Sequence, residues 1–158
     1  VCCMLEDRLT APLVIRIATP EDILTIENLD SFSTSPTRHI HREMHKYFGS
    51  VEPSTHERIL IFLVEMDDVP AAKAELMLPP TGTASAVGYV KRVVVHPDFR
   101  QHGLARRLME HIIDYAHSEQ HLGAIDLHVW EDNRPAIRLY ESLGFELQHR
   151  ELYFRLHL

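Results

Sequence analysis

Apolar residues recur along the chain with two periods, which predict alternating strands and helices. Short runs that are apolar, or that alternate apolar with polar residues, are typical of strands, and apolar positions every three or four residues are typical of helices. The clearest helix follows Gly103, where Leu104, Leu108, Ile112 and Ala116 recur every fourth residue. The pattern predicts strands at 13–17, 59–64, 72–78, 86–95 and 124–130, and helices after Thr19, over 37–48, after Gly103 and after Asn133.

This mixture of elements predicts an α/β domain built around a central sheet. With 158 residues, 45% of them hydrophobic and 25% charged, the chain has the size and composition of one globular domain with a buried core. We expect residues 1–12 to form a flexible N-terminal extension and residues 13–158 to form a single domain.

Composition narrows the choice of partners and compartment. A formal net charge of −7 disfavours a nucleic-acid partner. The sequence shows neither a long uncharged apolar window nor the pattern of a signal peptide, so we expect no membrane partner. Sparse cysteine fits a reducing compartment and predicts a soluble, cytoplasmic protein. A homodimer is left open, because the sequence does not separate exposed from buried apolar residues.

Histidines are frequent, with twelve in the chain. His39, His41 and His45 lie close together, and within a helix His41 and His45 could share one face and bind zinc. No third ligand follows at a characteristic spacing. A solvated helix face is therefore the favoured interpretation, and no metal is expected.

The junction between the strand at 86–95 and the helix after Gly103 carries the strongest chemical signal. Pro97 ends the strand because it cannot donate to a sheet ladder. Gly103 would let a ligand approach the backbone, and the free N–H groups at the helix start favour an anion such as a phosphate. A glycine in this place is, by itself, also compatible with an ordinary tight turn.

Two motifs resemble those of one family, the GCN5-related N-acetyltransferases. Arg100, Gly103 and Ala105 match its cofactor-binding signature R/Q-x-x-G-x-G/A. About thirty residues later a second block of the family, N-x-x-A-x-x-x-Y-x-x-x-G-F, is matched by Asn133, Ala136, Tyr140, Gly144 and Phe145. Two blocks in the family's order are more specific than either one.

The resemblance implies a fold and an activity. The fold is the family's three-layer domain, with helices on both faces of a largely antiparallel sheet that is splayed at two parallel strands. The activity is transfer of an acetyl group from acetyl-CoA, the cosubstrate, to the primary amine of a small molecule or a peptide, by direct attack in a ternary complex. The alternative is a catalytically silent domain that binds or senses acyl-CoA.

The resemblance also assigns the residues that would bind the cofactor. A backbone N–H between Val93 and Val95 would meet the oxyanion. Asn133 would bind the cofactor arm, although a helix N-cap explains this asparagine equally well. The full set is Val93, Val94, Val95, Arg100, Gln101, His102, Gly103, Leu104, Ala105, Arg106, Asn133 and Tyr140.

Tyr140 matches the tyrosine that acts near the thioester sulfur as general acid in this family. The competing interpretation is structural, because Ala136, Tyr140 and Leu143 share one helical face and could simply pack in the core.

Many family members place the general base, a glutamate, on the strand that precedes the loop. Here that strand carries no glutamate. Tyr89 and His128 resemble a tyrosine and histidine pair that some protein N-terminal acetyltransferases use through water. His128 would accept the proton and Tyr89 would orient the water, and a structural histidine remains the alternative. Strand alternation places Tyr89 on one face with Lys91 and Val93. Outside candidates for the base are Glu75, Glu131 and Asp132.

Overall fold

The computed structural model describes residues 12–82 and 86–158. The expected N-terminal extension, apart from its last residue, falls outside the described residues. The chain divides into two units, which we describe separately: the first extends to His128, and the second runs from Val129 to Leu158.

The first unit contains five strands and two helices among its described residues. Asp67 and Asp68 turn the chain between the second and third strands with φ of 50° and 61°, a backbone conformation that suits tight hairpins and that aspartate tolerates. The strands are β1 (Leu13–Ile17), β2 (Arg58–Met66), β3 (Val69–Leu78), β4 (Val87–Val95) and β5 (Ala124–Asp126), and the helices are α1 (Ile23–Asp30) and α2 (Leu104–Ser118).

The strands form one mixed sheet in the order β1-β2-β3-β4-β5. The first four strands pair antiparallel, whereas β4 and β5 pair parallel. That parallel pairing ends at Tyr89 and Asp126, although β4 continues to Val95. The sheet is therefore split between β4 and β5, as the family resemblance implied.

Helices cover both faces of the sheet. On one face Ile26 and Leu29 of α1 belong to a buried cluster with Ile61 and Leu63 of β2. Phe62 points to the opposite face, where its ring meets those of His111 and Tyr115 of α2. Successive side chains of β2 thus point to opposite faces and pack into two separate apolar layers. The expected three-layer fold is confirmed.

The helix expected over 37–48 is wrong. Two short 3-10 turns, Ile40–Arg42 and Met44–Lys46, replace it and are separated by non-helical backbone at Glu43. Arg38 and Ile40 both point inward, Arg38 to ion pairs and Ile40 into the α1 cluster, while His39 and His41 are exposed. An α-helix cannot alternate its side chains in this way. Tertiary contacts have overridden the local pattern.

The second unit contains one helix, α3 (Arg134–Ser142). The Asn133 side chain accepts a hydrogen bond from the Ala136 N–H at 3.4 Å, and Gly144 follows the helix with φ of 98°. The rest of the unit forms no helix or strand. The strand expected over 124–130 ends at Asp126. Among the described residues, no helix is both long and apolar enough to cross a membrane.

Candidate functional site

Tyr89 and His128 meet where β4 and β5 separate. The Tyr89 hydroxyl lies 2.7 Å from Nδ1 of His128, with the ring centroids 5.5 Å apart. Tyr89 is the last residue of β4 that pairs with β5, opposite Asp126, and His128 follows two residues after Asp126. Because partners across a ladder point to the same face, the two side chains reach the same side of the split. The geometry therefore allows a direct proton path between them.

The protonation state of Tyr89 sets the direction of this hydrogen bond. Partial burial, and after it the negative charge of Asp126, raises the pKa of the Tyr89 hydroxyl above its ordinary value. The phenol is therefore protonated at neutral pH, so its O–H can donate to Nδ1 of His128 when that nitrogen carries no proton. A proton taken up by the Tyr89 oxygen can thus be passed to His128 as the original hydroxyl proton moves.

β4 carries a bulge immediately after this pair. Lys91 pairs with Glu75 and Val94 with Lys73, so two residues of β4, Arg92 and Val93, stand opposite one residue of β3. Arg92 has φ of 52°, a left-handed conformation that is strained for a residue with a side chain. Because two residues of β4 stand opposite one residue of β3, some backbone groups at the bulge lie outside the regular ladder of hydrogen bonds. The bulge thus falls on the part of β4 assigned to the oxyanion donor.

The loop between β4 and α2 forms an open cradle. Gly103 stands at the helix N-cap with φ of 71°, and a β carbon placed on it would meet no atom within 4 Å. No side chain caps the helix there. The Arg100 guanidinium is directed back to the Val95 carbonyl, at 3.4 Å, and His102 Nδ1 lies 2.8 Å from the Arg100 carbonyl. Open space, a helix N-terminus and neighbouring basic residues suit a pyrophosphate.

The candidates of the second unit are held on α3. Tyr140 packs edge-on against Phe145 with ring centroids 5.8 Å apart, and burial raises the pKa of its hydroxyl. The hydroxyl is therefore protonated at neutral pH, as a general acid must be. Asn133 performs the N-cap role already described, so its side-chain oxygen is engaged in the helix.

Glu75, an outside candidate for the base, is unsuited to that role. Its side chain is fully buried on β3, where Arg38 binds both carboxylate oxygens and Lys73 Nζ lies at 2.7 Å. Burial raises the pKa of this carboxyl, but the hydrogen bonds and charges of Arg38 and Lys73 outweigh burial and hold it below the usual range. A carboxylate with such partners has little tendency to take a proton at neutral pH.

Sequence patterns missed this buried ionic cluster. Asp30 completes it, with an oxygen 2.6 Å from Lys73 Nζ and another 3.0 Å from Arg38 Nε. The available signal was the pair Lys73 and Glu75, two opposite charges on one face of a strand whose other positions are apolar. Charged side chains that point outward to solvent would give the same pattern, so the sequence did not distinguish a buried ion pair from an exposed one.

Comparison with known proteins decides the family. The model of the acetyltransferase (GNAT) family matches residues 21–145, which include both sequence motifs and both sides of the split sheet. The chain belongs to this family. The match confirms the resemblance.

Relatives within the acetyltransferase family include enzymes with different acceptors. The [ribosomal protein bS18]-alanine N-acetyltransferase of Escherichia coli (strain K12) is 31% identical over 124 residues, which cover 77% of this chain and 80% of that protein. NAA20, the catalytic subunit of the N-terminal acetyltransferase B complex of Arabidopsis thaliana, is 37% identical over 65 residues. That alignment covers 41% of this chain and only 37% of NAA20.

A solved structure shows the same fold with a ligand. Aminoglycoside N-acetyltransferase AAC(6')-Iy in complex with CoA superimposes with a TM-score of 0.70 at 18% identity, covering 94% of this chain and 97% of that one. The family and the named relatives support acetyl-CoA-dependent N-acyltransferase activity.

Proposed function

We propose that this acetyltransferase moves the acetyl group of acetyl-CoA to the primary amine of a small molecule or a peptide, by direct attack in a ternary complex. The observation that carries the proposal is the hydrogen bond from Tyr89 to His128 at the split between β4 and β5. An ammonium is not nucleophilic, so the enzyme must first remove a proton, and a hydroxyl hydrogen-bonded to an imidazole supplies the path.

Each of the proposed catalytic groups performs one task in the reaction. One proton of the ammonium passes through Tyr89 to His128 before the amine nitrogen attacks the thioester carbon. A backbone N–H of 93–95 donates to the carbonyl oxygen as negative charge develops there. Tyr140 donates its hydroxyl proton to the sulfur as the carbon–sulfur bond breaks, a role that rests on the family motif. The ammonium loses two protons in all: one is carried by His128 and released to solvent, and the other replaces the proton that Tyr140 gives to the sulfur. Amide, CoA thiol and one released proton then balance the two substrates.

The cradle at Gly103 supports acetyl-CoA as the cosubstrate. Residues 100–106, with the start of α2, would hold the pyrophosphate through backbone N–H groups. The relatives act on acceptors as different as a ribosomal protein and aminoglycosides, going by their names, so both acceptor classes belong to the proposal. We place the reaction in the cytoplasm because the sparse cysteine content suits a reducing compartment.

We expect Gly103→Glu to lower acetyl-CoA affinity by about 100-fold or more, because a carboxylate against a pyrophosphate costs several kcal/mol. Calorimetric titration with acetyl-CoA measures the change. Gly82→Glu is the matched control, because Gly82 also has positive φ, at 83°, and open space around its position for a β carbon. Unchanged affinity in a folded Gly103→Glu protein would remove the loop assignment.

The base is tested with Tyr89→Phe, His128→Gln and the double variant. Each single change should lower kcat by roughly 10²–10⁴-fold, and the double variant should be little worse than either, because the two groups act as one path. The pH–rate profile of the unchanged enzyme should have a limb that depends on an imidazole, and His128→Gln should lose this limb. The raised pKa of Tyr89 places its own deprotonation above the ordinary tyrosine range.

His117→Gln serves as the control, since His117 is exposed in the last turn of α2. Release of CoA thiol in the presence of a library of amines distinguishes an enzyme from the silent acyl-CoA-binding alternative. Full activity and an unchanged pH limb in His128→Gln would show that another group takes the proton.

A further inference from the structure

We propose that Glu27, His39 and His41 form a binding site for a divalent transition metal ion, with zinc as the best fit. Each residue offers one ligand atom, and the three atoms lie within 4.8 Å of one another. Two imidazoles and one carboxylate form a common donor set for zinc with one coordination position left for water. The site is separate from the Tyr89 and His128 pair and does not depend on the proposed reaction.

The spacing of the ligand atoms is close to that of a bound ion. Nδ1 of His41 lies 3.4 Å from Oε1 of Glu27. In a tetrahedral zinc site with metal–ligand bonds of about 2.0–2.2 Å, neighbouring ligand atoms are separated by about 3.3–3.6 Å. The imidazoles of His39 and His41 are also neighbours, with centroids 5.8 Å apart. Small rotations of exposed side chains bring the third atom into place.

Buried neighbours hold the two histidines in this position. His39 and His41 alternate with Arg38 and Ile40, whose side chains are buried beneath the turn. Arg38 Nε donates to Asp30 at 3.0 Å, and Asp30 stands one helical turn after Glu27 on α1. Residues three apart lie on the same side of a helix. The ion pair between Arg38 and Asp30 therefore holds the turn against the side of α1 that carries Glu27. The site is thus largely preorganised.

Glu27 supplies the negative charge of the site, and the whole chain carries a formal net charge of −7. The glutamate is partly buried, with 26% of its side chain exposed, while the His41 side chain is 54% exposed. A metal ion can therefore enter from solvent, and the carboxylate is the less hydrated partner.

The sequence did not predict this site because it placed the histidines on a helix. In a helix His41 and His45 would share a face, and the sequence offers no third ligand at a characteristic spacing. The structure replaces the helix with two 3-10 turns and draws Glu27 from a different element. The absence of a metal expected from the sequence is therefore revised by this proposal.

Titration of the full chain with Zn²⁺ by calorimetry tests the site. We expect one dominant site per chain, with affinity lowered about tenfold or more in each of Glu27→Gln, His39→Gln and His41→Gln, since even outer-shell changes cost this much. His45→Gln is the matched control, because His45 is exposed in the next turn and is not one of the ligands. Its isotherm should match that of the unchanged chain.

Co²⁺ provides a second readout that adventitious surface binding would not reproduce. A tetrahedral site gives visible ligand-field absorption, which should saturate at one equivalent and disappear in His39→Gln but not in His45→Gln. Circular dichroism confirms that the exposed substitutions leave the fold unchanged. Equal Zn²⁺ affinity in the unchanged chain and all three ligand variants, or loss of binding in His45→Gln alone, would overturn the proposal.

Discussion

Replacing Tyr140 with phenylalanine is expected to lower kcat by roughly 10²–10⁴-fold, the usual contribution of a general acid. The change removes only the hydroxyl and keeps the ring that packs against Phe145. Because burial raises the pKa of Tyr140, its proton is present at neutral pH and is lost to the reaction when the hydroxyl is deleted. Acetyl-CoA affinity, measured by calorimetry, should change little.

Tyr115→Phe is the matched control for this result. Tyr115 lies on α2, its ring packs against Phe62, and its hydroxyl accepts a hydrogen bond from Gln120 at 3.0 Å. That hydroxyl has a structural partner and no task in the proposed reaction, so kcat should be unaffected. Wild-type turnover in Tyr140→Phe would return Tyr140 to the competing interpretation, a tyrosine that only packs.

Glu75→Gln is expected to lower the free energy of unfolding by about 3–5 kcal/mol, the cost of removing one partner from a buried ion pair. Glu75 and Lys73 are both fully buried, and Arg38 is nearly so, with 7% of its side chain exposed. Glutamine keeps the shape but not the charge, so among the described residues Asp30 is the carboxylate that remains paired with the two cations. Equilibrium denaturation by urea measures the difference.

The control is an ion pair of similar chemistry near the surface. Glu65 pairs with Arg16 at 2.7 Å, but the side chains are 19% and 38% exposed. Glu65→Gln should therefore cost only about 0–1 kcal/mol. A loss in Glu75→Gln as small as that in Glu65→Gln would show that the cluster does not stabilise the fold.

The effect of Glu75 should depend on pH in a defined direction. Its pKa in the folded protein is lowered, so its charge stabilises the fold fully above the pKa of an unfolded glutamate. That contribution is lost as the pH falls toward the lower folded value. The difference in stability between the unchanged chain and Glu75→Gln should therefore shrink in acid, below about pH 4.

Short-range patterns accounted for the family and for much of the fold. The helix after Gly103 and the Asn133 cap depend on residues within one or two turns of each other, and both were found where the sequence indicated. The two motifs identified the acetyltransferase family, because each concentrates its information in a short segment. The candidates at Tyr89 and His128 likewise came from motif position.

The tertiary structure decided the features that depend on residues far apart in the sequence. Simple alternation placed Val93 on the face of Lys91, whereas the bulge at Arg92 gives that place to Val94. A bulge depends on how β4 pairs with β3. The bulged residues, Arg92 and Val93, include no glycine that would mark it in the sequence. Similarly, 37–48 has the composition of a helix, but Arg38 is drawn to Asp30 and Glu75.

The same difference between local patterns and long-range contacts applies to the candidate sites. The sequence by itself determined the family and supplied the candidates for the phosphate loop, the acid and the base, since these follow from local motifs. Only the folded chain decided that Tyr89 and His128 are in direct contact, that Glu75 is neutralised by buried cations, and that Glu27 joins two histidines. Each of these depends on contacts between different elements, and neither local periodicity nor residue spacing records which elements will pack together.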